Sequence, residues 1–144
     1  MQQSKFWPKL IGTAFLLHVV LILLSIIEVV IYSYIISPGK DQVFYNAHAS
    51  ITGPWVSAIF GSLLMFFLVK RFIKRFSSQQ LTYAIWLPVI YLAIDLILFF
   101  VSEYKFNDFA YQFVLATIPK IVAVALAYFT YSGSNHQGRN SKSI

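Results

Sequence analysis

Three charged residues, Glu28, Asp95 and Lys120, lie inside runs of apolar residues, where a charge is energetically costly. Glu28 is in LLSIIEVVIYSY, Asp95 in YLAIDLILFF and Lys120 in TIPKIVAVALAYF. At the centre of a membrane-spanning helix each such group costs about 2.5–3.5 kcal/mol on insertion scales. Residues retained at this cost are expected to face the interior of a helix bundle and to mark a functional site.

The depths of the three charges predict that they converge in the outer half of a membrane. With a rise of about 1.5 Å per residue, Glu28 and Asp95 lie roughly 12 Å below the outer ends of their helices, and Lys120 roughly 18 Å below its own. A lysine side chain extends about 6 Å toward polar surroundings, so its ammonium group can reach both carboxylates. We therefore predict that Asp95 and Lys120 lie within direct or single-water hydrogen-bond reach, with Glu28 lining the same cavity.

Polar side chains share helical faces with two of the charged residues. At about 100° per residue, Tyr32 and Ser25 lie on the side of Glu28, and Tyr91 lies on the side of Asp95. The predicted ligand- or proton-binding site therefore consists of Glu28, Asp95, Lys120, Tyr32, Tyr91 and Ser25.

The histidines and the segment before the second apolar run give weaker signals. His48, with Tyr45 and Asn46, is a candidate cap of the pocket, with simple solvation as the alternative. His18 is predicted to be a packing residue, with a place in a proton path as the alternative. No two histidines have the spacing of a haem or zinc site, so we predict no metal and no cofactor.

The elements that must position these residues are membrane-spanning helices. The chain has 144 residues, of which 58% are hydrophobic and 11% charged, whereas soluble domains carry about 25% charged residues. Four apolar runs, at 10–36, 51–69, 81–101 and 109–131, each reach the roughly 17–25 residues that span a bilayer. We predict an all-α integral membrane bundle of four transmembrane helices over residues 1–131, followed by a disordered polar cytoplasmic tail, 132–144.

The basic residues predict the orientation. Eight of the eleven Lys and Arg residues lie at the amino end, in the second loop or in the tail, and only Lys40 and Lys105 lie in the first and third loops. By the positive-inside rule both termini are cytoplasmic, as in a multi-pass protein of the cell (inner or plasma) membrane. Because the basic residues flank the spans, the net charge of +6 needs no nucleic-acid partner. The absence of cysteine excludes thiol chemistry.

The boundaries of the second helix and its packing face are also predicted. Thr52-Gly53-Pro54 is expected to open this helix, with proline in its first turn, so that residues 38–50 form an outer loop. Small residues recur on one face of the second helix and one of the fourth, and such faces pack closely within a chain or between copies in a homo-oligomer. These are Gly53, Ser57 and Gly61, and Ala116, Ala123 and Ala127.

Three classes of function fit these features. The chain has no GxSxG, HExxH, Walker A or Gly-rich dinucleotide motif. The first class is an outward-facing pocket at Glu28, Asp95 and Lys120 that binds or transports a small polar or cationic molecule, with proton coupling. The second is an intramembrane enzyme that acts on a lipid or isoprenoid through an acidic general acid/base. The third is an assembly subunit of a membrane complex.

Overall fold

The structure, a computed structural model, consists of helices in the residues that it describes, which are 6–75, 79–101 and 106–132, with side chains from 110 to 131 in the last range. α1 spans Phe6–Ile31 and continues as a π-helix over Tyr32–Ile36. α2 spans Gln42–Arg75, α3 spans Gln80–Val101 and α4 spans Phe106–Ser132. The predicted tail beyond Ser132 lies outside the described residues, as do 76–78 and 102–105 of the connections.

Successive helices run in opposite directions. The ring of Tyr83, at the start of α3, contacts Phe6 at the start of α1 and stacks on Phe72 near the end of α2. The end of α4 reaches the same level, because Tyr131 contacts Phe66 of α2. This level also contains Lys9 and the four basic residues between positions 70 and 75. We call it the basic end. The opposite level, with the 37–41 turn, is the turn end.

The turn between the π-helix and α2 corrects one boundary. Gly39 has a φ angle of 78°, in the left-handed region where glycine meets no Cβ clash. The Asp41 carboxylate accepts the backbone N–H of Phe44 at 2.9 Å, which satisfies one of the donors that a helix start leaves open. α2 therefore begins at Gln42, and the prediction of a loop up to residue 50 was wrong.

Pro54 consequently lies in the interior of α2 rather than in its first turn. A proline has no N–H, so the carbonyl group of Ser50, four residues earlier, loses its helical donor. The side-chain amide of Gln112, on α4, donates to this carbonyl at 3.3 Å. The break in the hydrogen-bond ladder of α2 thus becomes a cross-link to α4.

The apolar core occupies the half of the bundle nearer the basic end. α1 contributes Leu10, Ala14, Leu17 and Leu21, α2 contributes Met65, Val69 and Ile73, α3 contributes Tyr83, Ala84, Leu87 and Tyr91, and α4 contributes Val124 and Ala127. On α1 these residues recur at helical spacing on one face, which turns that face inward. The buried polar side chains, His18, Thr117 and Lys120, lie nearer the middle of the bundle.

Small residues permit the close approach of α2 and α4, which share the most extensive contact between helices. Ala123 and Ala127 on α4 are buried, as are Ala58 and Gly61 on α2. A Cβ atom on Gly61 would clash with Cε of Lys120. These positions are therefore occupied within a single chain, by the packing of α2 on α4.

The outside of the bundle is apolar. Phe15, Phe67, Ile97 and Phe129, one on each helix, are each more than half exposed. All four helices are long and apolar enough to cross a membrane, and the described residues form no strand. An exterior of this kind, which is far larger than the apolar patches of soluble monomers, is typical of a multi-pass membrane protein.

Candidate functional site: two carboxylate–imidazole clusters

Glu28 lies in a cluster near the turn end, between α1 and α2. Its Oε1 atom is 2.8 Å from Nε2 of His48, and its Oε2 atom accepts a hydrogen bond from the Thr52 hydroxyl at 3.0 Å. His48 and Thr52 are one turn apart on α2 and present both groups to the same carboxylate. The Glu28 side chain is 30% exposed and that of His48 18%, so the cluster is open at the surface. We call Glu28, His48, Thr52 and Tyr32 the outer cluster.

Tyr32 covers the imidazole of this cluster. Its ring stacks on His48 with 3.5 Å between ring centroids and 9° between planes. Tyr32 is the first residue of the π-helix, whose wider turn ends with the N–H of Ser37 bonded to the Tyr32 carbonyl at 2.9 Å. Single π turns often occur at functional sites. Here the π turn lies directly beside the stacked pair.

One ring nitrogen of His48 has no hydrogen-bond partner in the described part of the chain. A carboxylate only accepts, so His48 donates to Glu28 through Nε2. Nδ1 then holds either a lone pair, which leaves the pair with one negative charge, or a proton, which makes it neutral. The outer cluster can therefore exchange a proton at Nδ1 while it keeps both hydrogen bonds to Glu28.

Asp95 lies in a second cluster, deeper in the bundle. Its Oδ1 atom is 2.9 Å from Nε2 of His18, while Nδ1 of the same ring is 2.9 Å from the carbonyl oxygen of Ala14. A carbonyl oxygen only accepts, so Nδ1 carries a proton. A single further proton lies between Nε2 and Oδ1, whichever atom holds it, and the pair is neutral overall. Removal of that proton would place a lone pair against a carboxylate.

Lys120 completes this deeper cluster. Its ammonium group donates to the Ser57 hydroxyl at 2.7 Å and to the Tyr91 hydroxyl at 3.0 Å, and it lies 4.5 Å from the centroid of the Tyr91 ring. The Tyr91 ring in turn stacks on His18, with centroids 4.0 Å apart. Lys120 is only 2% exposed. We call His18, Asp95, Tyr91, Lys120 and Ser57 the inner cluster.

The geometry differs from the predicted convergence of three charges. Lys120 forms no ion pair with a carboxylate in the described residues, and Asp95 is bonded to His18 instead. His18 is roughly 15 Å from Glu28 along the axis of α1, so Glu28 and Asp95 contact different histidines at different depths. Of the predicted direct or single-water contact between Asp95 and Lys120, the described residues show no direct hydrogen bond, and the single-water contact stays a prediction.

Some of the remaining predicted residues belong to the two clusters, and the others lie outside them. Tyr32, Tyr91 and His48 belong to the clusters, with His48 as a direct partner of Glu28. Tyr45 instead stabilises the end of the π-helix, where its hydroxyl donates to the carbonyl of Ser37 at 2.8 Å. Asn46 is exposed, and Ser25 is half-buried with no hydrogen-bond partner in the described part of the chain.

Sequence reasoning did not assign roles to Thr52, to the Ser57 hydroxyl or to Gln112. Ser57 was noted only for its size and Thr52 only as a helix start. A hydroxyl one turn from His48 was a usable signal for Thr52, whereas Gln112 carries none until α4 is known to lie beside Ser50. In the described residues, no group of three or more His, Cys, Asp or Glu side chains could hold a metal ion.

Comparison with known proteins gives no relative from which a function could be transferred: no family model matches the chain, and no curated protein or solved structure is significantly similar to it.

Proposed function

We propose that the chain is a multi-pass protein with both termini in the cytoplasm and that its outer cluster binds a small cationic molecule, in exchange for a proton, from the outer side of the membrane. The orientation is supported by the distribution of Lys and Arg between the two sets of loops. The single observation that carries the binding proposal is the open Glu28–His48 pair. It is a carboxylate in an apolar bundle whose only titratable hydrogen-bond partner in the described residues is an imidazole with one nitrogen available for protonation.

Charge balance explains why binding and proton exchange would be linked. With a proton on His48 the pair is neutral and attracts no cation. Loss of that proton leaves one negative charge on Glu28, which a bound cation can compensate. Cation binding is therefore favoured as the pH rises, and a bound cation releases a proton.

The inner cluster supports binding rather than a continuous conduit. The His18–Asp95 pair is neutral, so Lys120 gives this level of the bundle a positive charge when its amine is protonated. A cation that moved from Glu28 toward the basic end would meet that charge and then the apolar core. Transport would therefore need a rearrangement of the inner cluster, whereas binding at Glu28 needs none.

The experiment uses the purified full-length chain in a neutral detergent, with ethidium and choline as the probe cations. We expect binding of at least one probe that strengthens as the pH rises and is lost in Glu28→Gln, which keeps the shape and polarity of the side chain. Asp95→Asn is the matched control, since it alters the carboxylate of the inner cluster and should retain binding. Equal binding by Glu28→Gln, or no binding of either probe, would contradict the proposal.

A second candidate function rests on the same imidazole. A histidine oriented by a carboxylate through one nitrogen, with the other nitrogen unoccupied, is the arrangement of a general base. The apolar exterior around it would suit a lipid or isoprenoid substrate. This alternative predicts turnover in detergent without any ion gradient, lost in both His48→Gln and Glu28→Gln, whereas the binding function requires Glu28 and only its pH dependence requires His48.

A further inference from the structure

A basic pocket lies toward the basic end, between α1 and α2, and shares no residue with either cluster. Its volume is about 280 Å³. The lining residues are Lys9, Gly12, Thr13 and Leu16 from α1, and Arg71, Phe72 and Arg75 from α2. On α1 they recur at helical spacing, and Arg71 and Arg75 are one turn apart on α2, so each helix contributes one continuous face.

The four cations at the end of α2 divide between two faces. Arg71 and Arg75 line the pocket toward α1. Lys70 and Lys74 point toward α4, where their ammonium groups lie 4.7 Å and 5.5 Å from the centroid of the Tyr131 ring. If the basic residues served only to set topology by their total charge, this division would have no consequence. Because Arg71 and Arg75 line a pocket, they can have a role that Lys70 and Lys74 do not share.

The pocket combines three cations with an apolar wall. Lys9, Arg71 and Arg75 surround it, and the guanidinium groups match the geometry of a phosphate in two-point hydrogen bonds. Leu16 and Phe72 supply apolar surface in the same cavity. The three acidic residues whose side chains the structure describes, Glu28, Asp41 and Asp95, lie nearer the turn end. The chemistry therefore favours a ligand that has a phosphate and hydrocarbon together.

We infer that this pocket binds the phosphate-bearing headgroup of an anionic membrane lipid, with the glycerol and upper acyl region against Leu16 and Phe72. The inference rests on the membrane insertion proposed above and not on ligand binding at Glu28. Basic clusters on the cytoplasmic side of spans attract anionic lipids through the surface potential. This pocket adds two-point recognition and a defined cavity to that general attraction. Free phosphate shares the headgroup chemistry but would leave the apolar wall uncovered.

The test measures lipid retention by native mass spectrometry of the purified full-length chain in maltoside micelles. The probes are phosphatidylglycerol, phosphatidylcholine with the same acyl chains, and inorganic phosphate. Arg71→Gln/Arg75→Gln is compared with Lys70→Gln/Lys74→Gln, which removes the same charge from the same turn of the same helix. We expect the arginine variant to lose phosphatidylglycerol affinity by about tenfold or more, the worth of one charge-assisted hydrogen bond, and the lysine variant to stay close to the parent chain.

A third variant blocks the pocket without a change in charge. Gly12 lines the cavity, and a Cβ atom at this position would meet nothing within 4 Å, so Gly12→Leu extends into open space. Leucine also has a higher helix propensity than glycine, so α1 should not be weakened. We expect Gly12→Leu to reduce phosphatidylglycerol retention as the arginine variant does.

The outcomes separate this inference from its alternatives. Equal losses in the arginine and lysine variants would overturn it in favour of non-specific attraction, and so would retention that Gly12→Leu leaves intact. Inorganic phosphate that binds as tightly as phosphatidylglycerol would also overturn it, by identifying a free-anion site. Recovery of each variant in carbonate-washed membranes reports on membrane insertion itself, and probe-cation binding by the same variants reports on Glu28.

Discussion

The described residues form two carboxylate–imidazole pairs of the same chemistry and nearly the same length, and the two pairs differ in their surroundings. In the inner pair, Nε2 of His18 is bonded to Asp95 and Nδ1 to the Ala14 carbonyl. In the outer pair, Nε2 of His48 is bonded to Glu28, and Nδ1 has no partner in the described residues. The inner side chains are 7% and 23% exposed and the outer ones 18% and 30%.

This difference shows that the second nitrogen of an imidazole decides what the pair can do. With both nitrogens engaged, the inner pair must keep its proton, and it fixes α1 to α3. With one nitrogen open, His48 of the outer pair can gain or lose a proton without breaking its hydrogen bond to Glu28. The same two side chains thus form a structural link at one depth and an exchangeable site at another.

The largest expected effect comes from removal of the imidazole of the inner pair. His18→Leu leaves Asp95, whose side chain is 23% exposed, with no hydrogen-bond partner in the described part of the chain, and the loss should approach the roughly 3–5 kcal/mol of breaking a fully buried charged pair. His48→Leu should cost only about 1 kcal/mol, since Glu28 keeps Thr52 and contact with solvent. The free energy of unfolding in mixed micelles measures both.

The double variant His18→Leu/Asp95→Leu provides the control for this comparison. It removes both polar groups, so we expect it to be more stable than His18→Leu alone, because no unpaired carboxylate remains. Additive losses from the two substitutions would mean that His18 and Asp95 are not coupled. Equal losses in His18→Leu and His48→Leu would remove the distinction between the clusters.

A smaller effect is expected at the glycine that makes room for Lys120. In Gly61→Ala the new methyl group meets Cε of Lys120, so the side chain must shift away from Ser57 and Tyr91, at about 1–3 kcal/mol. Gly12→Ala, in the interior of α1, meets nothing within 4 Å and should gain about 0.5–1 kcal/mol from helix propensity. Thermal unfolding of the two variants should therefore shift in opposite directions. Shifts of the same sign would show that the inner cluster tolerates displacement of Lys120.

The smallest effect concerns the support beneath the outer cluster. Gln112→Leu leaves the Ser50 carbonyl, between His48 and Thr52 on α2, without its donor, and should cost about 1 kcal/mol. In a Pro54→Ala background the backbone N–H at position 54 satisfies that carbonyl, so Gln112→Leu should then cost nothing measurable. An unchanged cost in both backgrounds would mean that Gln112 stabilises the chain through some other contact.

The sequence predicted the helices better than the pairing of the charges. The length and apolar composition of a run depend only on that segment of the sequence. The four long apolar helices were therefore predictable. The start of α2 was missed because Thr52-Gly53-Pro54 fits a helix start with proline in the first turn, although Asp41 is a residue type that favours an N-terminal cap. Both features are local, and the cap could have been found.

The partners of Asp95 and Lys120 could not be derived in the same way. Depth arithmetic assumes that all helices end at one height and gives no rotation of one helix relative to another. It therefore placed Glu28 and Asp95 at one level, whereas the structure places Asp95 beside His18. Pairing by charge also favoured Asp95–Lys120 over Asp95–His18, and only the adjacency of α1 and α3 decides between them.

The most direct test of the two-cluster account is the exchange of ring protons in the full-length chain labelled with ¹⁵N-histidine. NMR spectra should show slow exchange with water for the Nδ1 proton of one histidine only, and this signal should disappear in His18→Gln and persist in His48→Gln. His48 should show fast exchange at Nδ1 while its Nε2 proton remains bonded to Glu28. A protected Nδ1 proton that disappears in His48→Gln, or no protected ring proton at all, would contradict the account.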